Sequence, residues 1–149
     1  MAAASRLSAC VGLGVDVEKV PPPKTLAAVL ELALSRQESV ACHRLARKGR
    51  ASFAQAVTTI FSAKESLYKC IQSFVPSRFD FLDVELAELD WEAGVVALAV
   101  SARGAGNVSR GALSRCEGRF SVDGDWVWSG TWSLAPTAGR PPRPGHVGA

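Results

Sequence analysis

The sequence is short of grouped metal ligands: its four cysteines and two histidines are scattered. Cys10, Cys42, Cys70 and Cys116 form no CxxC pair, which excludes a zinc ribbon or a thioredoxin-like dithiol. They read instead as buried apolar thiols of a reducing, cytoplasmic compartment. His43 and His146 are widely separated, so a histidine-based triad or zinc site lacks its parts. Long hydrophobic runs are absent too. The longest, Ala93–Val100, is well short of the roughly 18 residues a membrane-spanning helix needs, so no membrane association is expected. The N-terminal segment carries a single cation, Arg6, and its apolar run breaks at glycines and ends at Asp16, a poor export signal. Gly12 and Gly14 lack the third glycine of a dinucleotide fingerprint, since Val17 stands there, and no Walker sequence occurs. Neither charge dominates: 17 Lys and Arg against 14 Asp and Glu give +3, which demands no nucleic acid and suits an anionic ligand or an acidic partner.

What is present is one domain. A chain of 149 residues, 48% hydrophobic, buries about two-thirds of its unfolded surface and needs no covalent staple. Residues 9–17 form a β-branched-rich run typical of a buried strand. The prolines Pro21, Pro22 and Pro23 turn the chain into a helix with Thr25 as its candidate N-cap, running to about Arg47. Two shorter helices are equally admissible, because Ser35–Ser39 interrupts the stripe. Gly49 is a stop, and Ser52 caps a second long helix over Phe53–Phe74. Beyond Pro76 the period becomes two: Leu82, Val84 and Leu86 pair across Gly94 with Val95–Val100. Asp123-Gly124 then joins Arg119–Val122 to Trp126–Leu134, placing Trp126, Trp128 and Trp132 on one face, read as sheet packing. The expectation is an α+β domain over residues 1–134, a mixed, mostly antiparallel sheet carrying two long helices on one face. Residues 135–149, rich in Pro, Gly and Arg, are expected to be a disordered tail.

The carboxylates carry the chemistry. Asp16 and Glu18 are two apart, so in a strand they leave the same face; if the strand ends at Val15, both are solvated loop residues. Glu65 and Lys69, four apart, share one helical face, which alone is a surface ion pair. Should that face pack over the end of the first strand, Asp16, Glu18 and Glu65 make an all-oxygen cluster suited to Mg²⁺, flanked by Lys64 and Lys69. Cations on both sides suit a pyrophosphate. The run Arg44, Arg47, Lys48 and Arg50 either solvates a helix C-terminus or steers an acidic partner.

Gly14-Val15-Asp16-Val17-Glu18, followed by Phe-Ser-Ala-Lys-Glu-Ser-Leu-Tyr-Lys at 61–69, resembles the two signature motifs of 4′-phosphopantetheinyl transferases. The second motif is most similar to the enterobactin-synthetase component D branch of the Sfp-type enzymes, with the trimeric holo-acyl-carrier-protein synthases more distant. The likeness covers roughly Cys10 to Val100 and is to the second of two similar halves. It implies Mg²⁺-dependent transfer of the 4′-phosphopantetheine arm of coenzyme A to a serine of an acyl or peptidyl carrier protein, in siderophore or polyketide biosynthesis, with release of adenosine 3′,5′-bisphosphate. It further implies Asp16, Glu18 and Glu65 as Mg²⁺ ligands, Glu65 also as general base, Lys69 as a catalytic phosphate contact, and Lys64 as a second coenzyme A contact. Ser66 is expected to pack or cap locally. Since only one half is represented, either an N-terminal half is missing or identical subunits build the cleft as a homo-oligomer. The alternative is a catalytically inactive half-domain that binds a carrier protein or another polypeptide.

Overall fold

The computed structural model describes residues 10–72, 80–101, 103–104 and 115–134. In chain order these form β1 (Cys10–Lys19), α1 (Pro23–Ala33), α2 (Arg36–Arg47), α3 (Phe53–Ile71), a 3₁₀ turn (Phe81–Asp83), β2 (Val84–Asp90), β3 (Val95–Val100), β4 (Arg115–Asp123) and β5 (Trp126–Leu134). The sheet order is β1-β5-β4-β3-β2 and every neighbouring pair is antiparallel, so the expected mixed sheet is fully antiparallel. The expected tail at 135–149 lies outside the described residues, as does the last turn of the expected second helix, because α3 is described to Ile71.

Local chemistry explains the element boundaries. Of the two readings of the first helical segment, one long helix or two shorter ones, the structure shows the two shorter ones. Ser35 and Glu38 form a capping box: the Glu38 amide donates to Ser35 Oγ at 3.3 Å and the Ser35 amide to the Glu38 carboxylate at 2.7 Å. That pairing starts α2 anew where Ser35–Ser39 interrupts the apolar stripe. Thr25 is not the cap of α1, whose N-cap is Pro22, with Pro23 in the first turn where its missing N–H costs nothing. Ser52 caps α3 as expected, reciprocally with Gln55. Gly49, Gly94 and Gly124 take positive φ after α2 and in the two hairpin turns. β1 extends past Val15 to Lys19, so Asp16 and Glu18 belong to the strand, not to a loop.

All three helices lie on one side of the sheet. α3 packs on β1 and β5, burying Ala63, Leu67, Cys70 and Ile71 against Val96, Leu98, Cys116 and Phe120, while its other side receives α1 and α2 through Ala33, Cys42, Val57 and Ile60. Burial pushes the Cys42 thiol up to about 12. Along β5 the alternation puts Val127, Ser129 and Thr131 toward α3 and Trp126, Trp128 and Trp132 on the opposite face, beside Val17 and Leu13 of β1. No described helix covers that face; Trp126 and Val17 remain exposed, and Lys19 lies over the Trp126 ring. No helix among the described residues is long and apolar enough to cross a membrane.

One contact fixes how β1 meets α3. At Gly14 the strand runs so close to the helix that a Cβ would fall on the Ser66 carbonyl oxygen and 2.6 Å from the Cys70 amide nitrogen. Both are backbone atoms and cannot rotate away. Gly14→Ala is expected to cost about 3 kcal/mol, the upper range for overpacking a core, read as a lowered urea midpoint at unchanged m-value.

Candidate active site

Two residues beyond Gly14 on the same face of β1, Asp16 points at α3 and is buried. Its Oδ1 accepts from Lys69 Nζ at 2.6 Å and its Oδ2 from Ser62 Oγ at 2.8 Å. Ser62 and Lys69 are two helical turns apart, and the long lysine side chain leans back toward the helix N-terminus to reach the same carboxylate. Ser62 Oγ also meets Ser129 Oγ of β5 at 2.7 Å. Glu18, the next residue on this face, and Glu65 are both half-buried. Burial pushes both carboxyls up, and the negative charge of Asp16 adds to this; Glu65 acts likewise on Glu18, and Lys69 partly offsets the rise in each. The hydrogen bond to Asp16 is the largest influence on Lys69 and holds its ammonium above the ordinary lysine value. Asp16, Glu18, Glu65 and Lys69 therefore form one electrostatic cluster, drawn from the strand and helix that the sequence pairs.

Lys64 is not part of it. The residue before Glu65 points the other way, into the interior, where its ammonium donates to Glu38 Oε2 at 2.8 Å, the Ala33 carbonyl at 2.8 Å and the Phe81 carbonyl at 3.1 Å. Three donors meet three acceptors, and Lys64 is 2% exposed, so its ammonium is fully engaged inside the fold. Burial pushes its ammonium down and Glu38 opposes that. Glu38, absent from the sequence-derived site, also accepts the Leu86 amide at 2.9 Å. Ser66 behaves as expected, donating to the Ala63 carbonyl at 2.9 Å and approaching Thr131 Oγ1 at 3.3 Å. Glu65 opens onto a cavity of about 220 Å³ that Lys64, Tyr68, Asp80, Phe81 and Val84 also line, so Lys64 borders this cavity while its ammonium is bonded inside the fold. The basic cluster Arg44, Arg47, Lys48 and Arg50 is exposed, and three of its members border a separate groove of about 530 Å³ between α2 and the edge strand β2.

The donors fit a divalent cation in kind: three hard carboxylates, two of them pushed up first by burial and then by their neighbours' negative charge, a repulsion that a cation would relieve. They do not form a finished cage. Among the described residues no three His, Cys, Asp or Glu side chains are grouped so as to hold a metal ion, and Lys69 occupies Asp16 Oδ1.

The sequence model of the 4′-phosphopantetheinyl transferase superfamily matches residues 12–114. No curated protein matches the chain. Solved structures do. The holo-[acyl-carrier-protein] synthase of Thermotoga maritima aligns with a TM-score of 0.58 at 21% identity, over 83% of this chain and 63% of that one. The Helicobacter pylori synthase, solved with coenzyme A, aligns at 0.55 and 17%, over 81% of this chain and 98% of that one. The Bacillus anthracis synthase, solved with CoA (3′,5′-ADP), aligns at 0.59 and 19%, over 85% and 98%. The fold is that of the holo-acyl-carrier-protein synthases. The chain belongs to the 4′-phosphopantetheinyl transferase superfamily, a family of transferase enzymes.

Two measurements test this electrostatic description. A carboxyl whose folded-state pKa is raised keeps its proton longer when folded, so its contribution to stability falls as pH rises from the ordinary carboxylate range through the raised value. Glu65→Gln and Glu18→Gln should therefore raise Tm at pH 7 and leave it unchanged below about pH 4, where the unperturbed groups are also protonated. The interior pair should respond the opposite way to truncation. Glu38→Ala is expected to cost about 3–5 kcal/mol in urea unfolding, and adding Lys64→Met should recover part of that loss by removing the stranded charge.

Proposed function

We propose that this chain transfers the 4′-phosphopantetheine arm of coenzyme A to a carrier-protein serine with a divalent cation at Asp16, Glu18 and Glu65. The observation that carries this proposal is the junction of the two motifs: Asp16 of β1 is bonded to Lys69 of α3, with Glu65 inside the same field. Mg²⁺, when bound, would neutralise pyrophosphate oxygens and polarise the phosphorus under attack. Glu65 takes the proton of the carrier serine hydroxyl as its oxygen attacks the β-phosphorus of coenzyme A. The phosphoanhydride bond to the nucleotide breaks, adenosine 3′,5′-bisphosphate leaves with the electron pair, and the proton on Glu65 passes to solvent. A carboxyl pushed above its ordinary value is a better base at neutral pH than an unperturbed one. Lys69 has its side chain 45% exposed and is free to exchange Asp16 for a phosphate oxygen. Lys64 is assigned to the fold, not to the ligand.

The carrier is the partner that suits the exposed Arg44, Arg47, Lys48 and Arg50, because complementary charge raises the rate of encounter. The Phe61–Lys69 wording supports the enterobactin-synthetase component D branch. The tryptophan-bearing face of the sheet supports a covering partner, either a second copy of this chain or an N-terminal half, in the assembly that transfers.

Incubation with an apo carrier, coenzyme A and Mg²⁺ should add one phosphopantetheine mass to the carrier, and light scattering should show the active species to be larger than one chain. Glu65→Gln should lower kcat/KM by about 10²–10⁴-fold. Lys69→Ala should raise KM for coenzyme A as well as lower kcat. An unmodified carrier would favour the inactive, carrier-binding half-domain.

A further inference from the structure

Both oxygens of Asp16 are engaged, but in different surroundings. Oδ1 faces the half-exposed ammonium of Lys69, whereas Oδ2 faces the interior and takes the hydroxyl proton of Ser62. A serine has one proton to give. Because Ser62 spends it on Asp16, the 2.7 Å contact between Ser62 and Ser129 has Ser129 as donor, and the order is Ser129 to Ser62 to Asp16. The two serines are buried and come from different elements, Ser62 from α3 and Ser129 from β5, where Ser129 is the residue directly across the ladder from Asp16. One hydroxyl donating into another strengthens the second as a donor. Both lie on the Oδ2 side of the carboxylate, whereas Lys69 takes Oδ1.

We infer that the buried Ser129–Ser62 hydroxyl pair positions Asp16, pinning Oδ2 in the interior so that Oδ1 alone is presented to Lys69 and to a bound cation. This inference rests on the proposed role of Asp16 as a cation ligand. The serines are positioning residues and touch no substrate. The neighbouring pair on the same helix and strand supplies a built-in comparison: Ser66 and Thr131, one helical turn and one ladder repeat further on, also approach hydroxyl to hydroxyl but do not reach Asp16. If hydroxyl pairs between α3 and β5 served packing alone, the two should be interchangeable in effect. They should not be.

The experiment measures Mn²⁺ binding by the paramagnetic resonance of the free ion, using full-length wild type, Ser62→Ala, Ser129→Ala, the double variant and Thr131→Val. Loss of a residue that orients a ligand typically weakens metal binding ~10–100-fold, and that is the loss expected for Ser62→Ala. Ser129→Ala should lose less, and the double variant no more than Ser62→Ala, because Ser129 acts through Ser62. Thr131→Val should bind as wild type. Equal binding by Ser62→Ala and wild type, an equal loss in Thr131→Val, or additive losses in the double variant would each overturn the inference. Wild type that binds no Mn²⁺ would overturn the cation-ligand assignment, and the relay is then decided by a crystal structure of Ser62→Ala: Asp16 turned away from Lys69 supports it, and an undisturbed Asp16–Lys69 pair overturns it.

Discussion

A lysine ammonium in a protein interior costs several kcal/mol unless it is paired and its remaining protons are bonded, and Lys64 meets both conditions only where four segments converge. The end of α1 offers the Ala33 carbonyl, the start of α2 offers Glu38, and the 3₁₀ turn offers the Phe81 carbonyl. Glu38 in turn receives the Leu86 amide of β2 and the Ser35 amide that begins α2. Displacing any one of these elements strands a buried charge or a buried amide. The pair therefore sets the rotation of α3 about its axis. Since neighbouring helical residues point about 100° apart, directing Lys64 inward delivers Glu65 to the rim beside Asp16.

The other side of α3 is governed by a different constraint. Gly14 lets β1 lie against the backbone of Ser66 and Cys70, and this close approach brings Asp16 within reach of both Ser62 and Lys69. Here charge is left uncompensated: three carboxylates share one ammonium, and two of them are pushed up, by burial first and by the neighbouring negative charge in addition. The interior pair is matched and closed, whereas the rim cluster is unmatched and open. A charge balance left incomplete in an otherwise satisfied core marks the surface where a ligand can contribute what the protein does not.

Much of this was legible because it depends on local periodicity. Asp16 and Glu18 share a face by the two-residue period of a strand, and Glu65 and Lys69 by the four-residue neighbourhood of a helix. The division of the helical segment was written in Ser35 and Glu38, a capping-box signature, which decides between the one long and two shorter helices that the broad apolar stripe left open. Lys64 is held inside the fold by partners that the local pattern does not show. Beside Glu65 it looks like a second phosphate contact, whereas Glu38, which pairs with its ammonium, lies 26 positions away in the first turn of α2. Ser129 was illegible altogether, since it faces Asp16 only through the antiparallel pairing of the first strand with the last.

That pairing also explains why the site is open. Among the described residues β1 is an edge strand, with β5 on one side and no strand on the other, so the carboxylates line the margin of the sheet and α3 flanks them. A diphosphate ester as large as coenzyme A cannot be held against a single wall with its charge fully screened from water, and preorganised electrostatic stabilisation is strongest where water is excluded. For the proposed reaction the second wall would come from another polypeptide. On the opposite face of the same strand, Val17 and Leu13 adjoin the row of tryptophans, an apolar surface that no described helix covers. Burial of that surface by another polypeptide would bring new backbone up to the edge at β1, beside Asp16 and Glu18, so assembly and completion of the site would be one event.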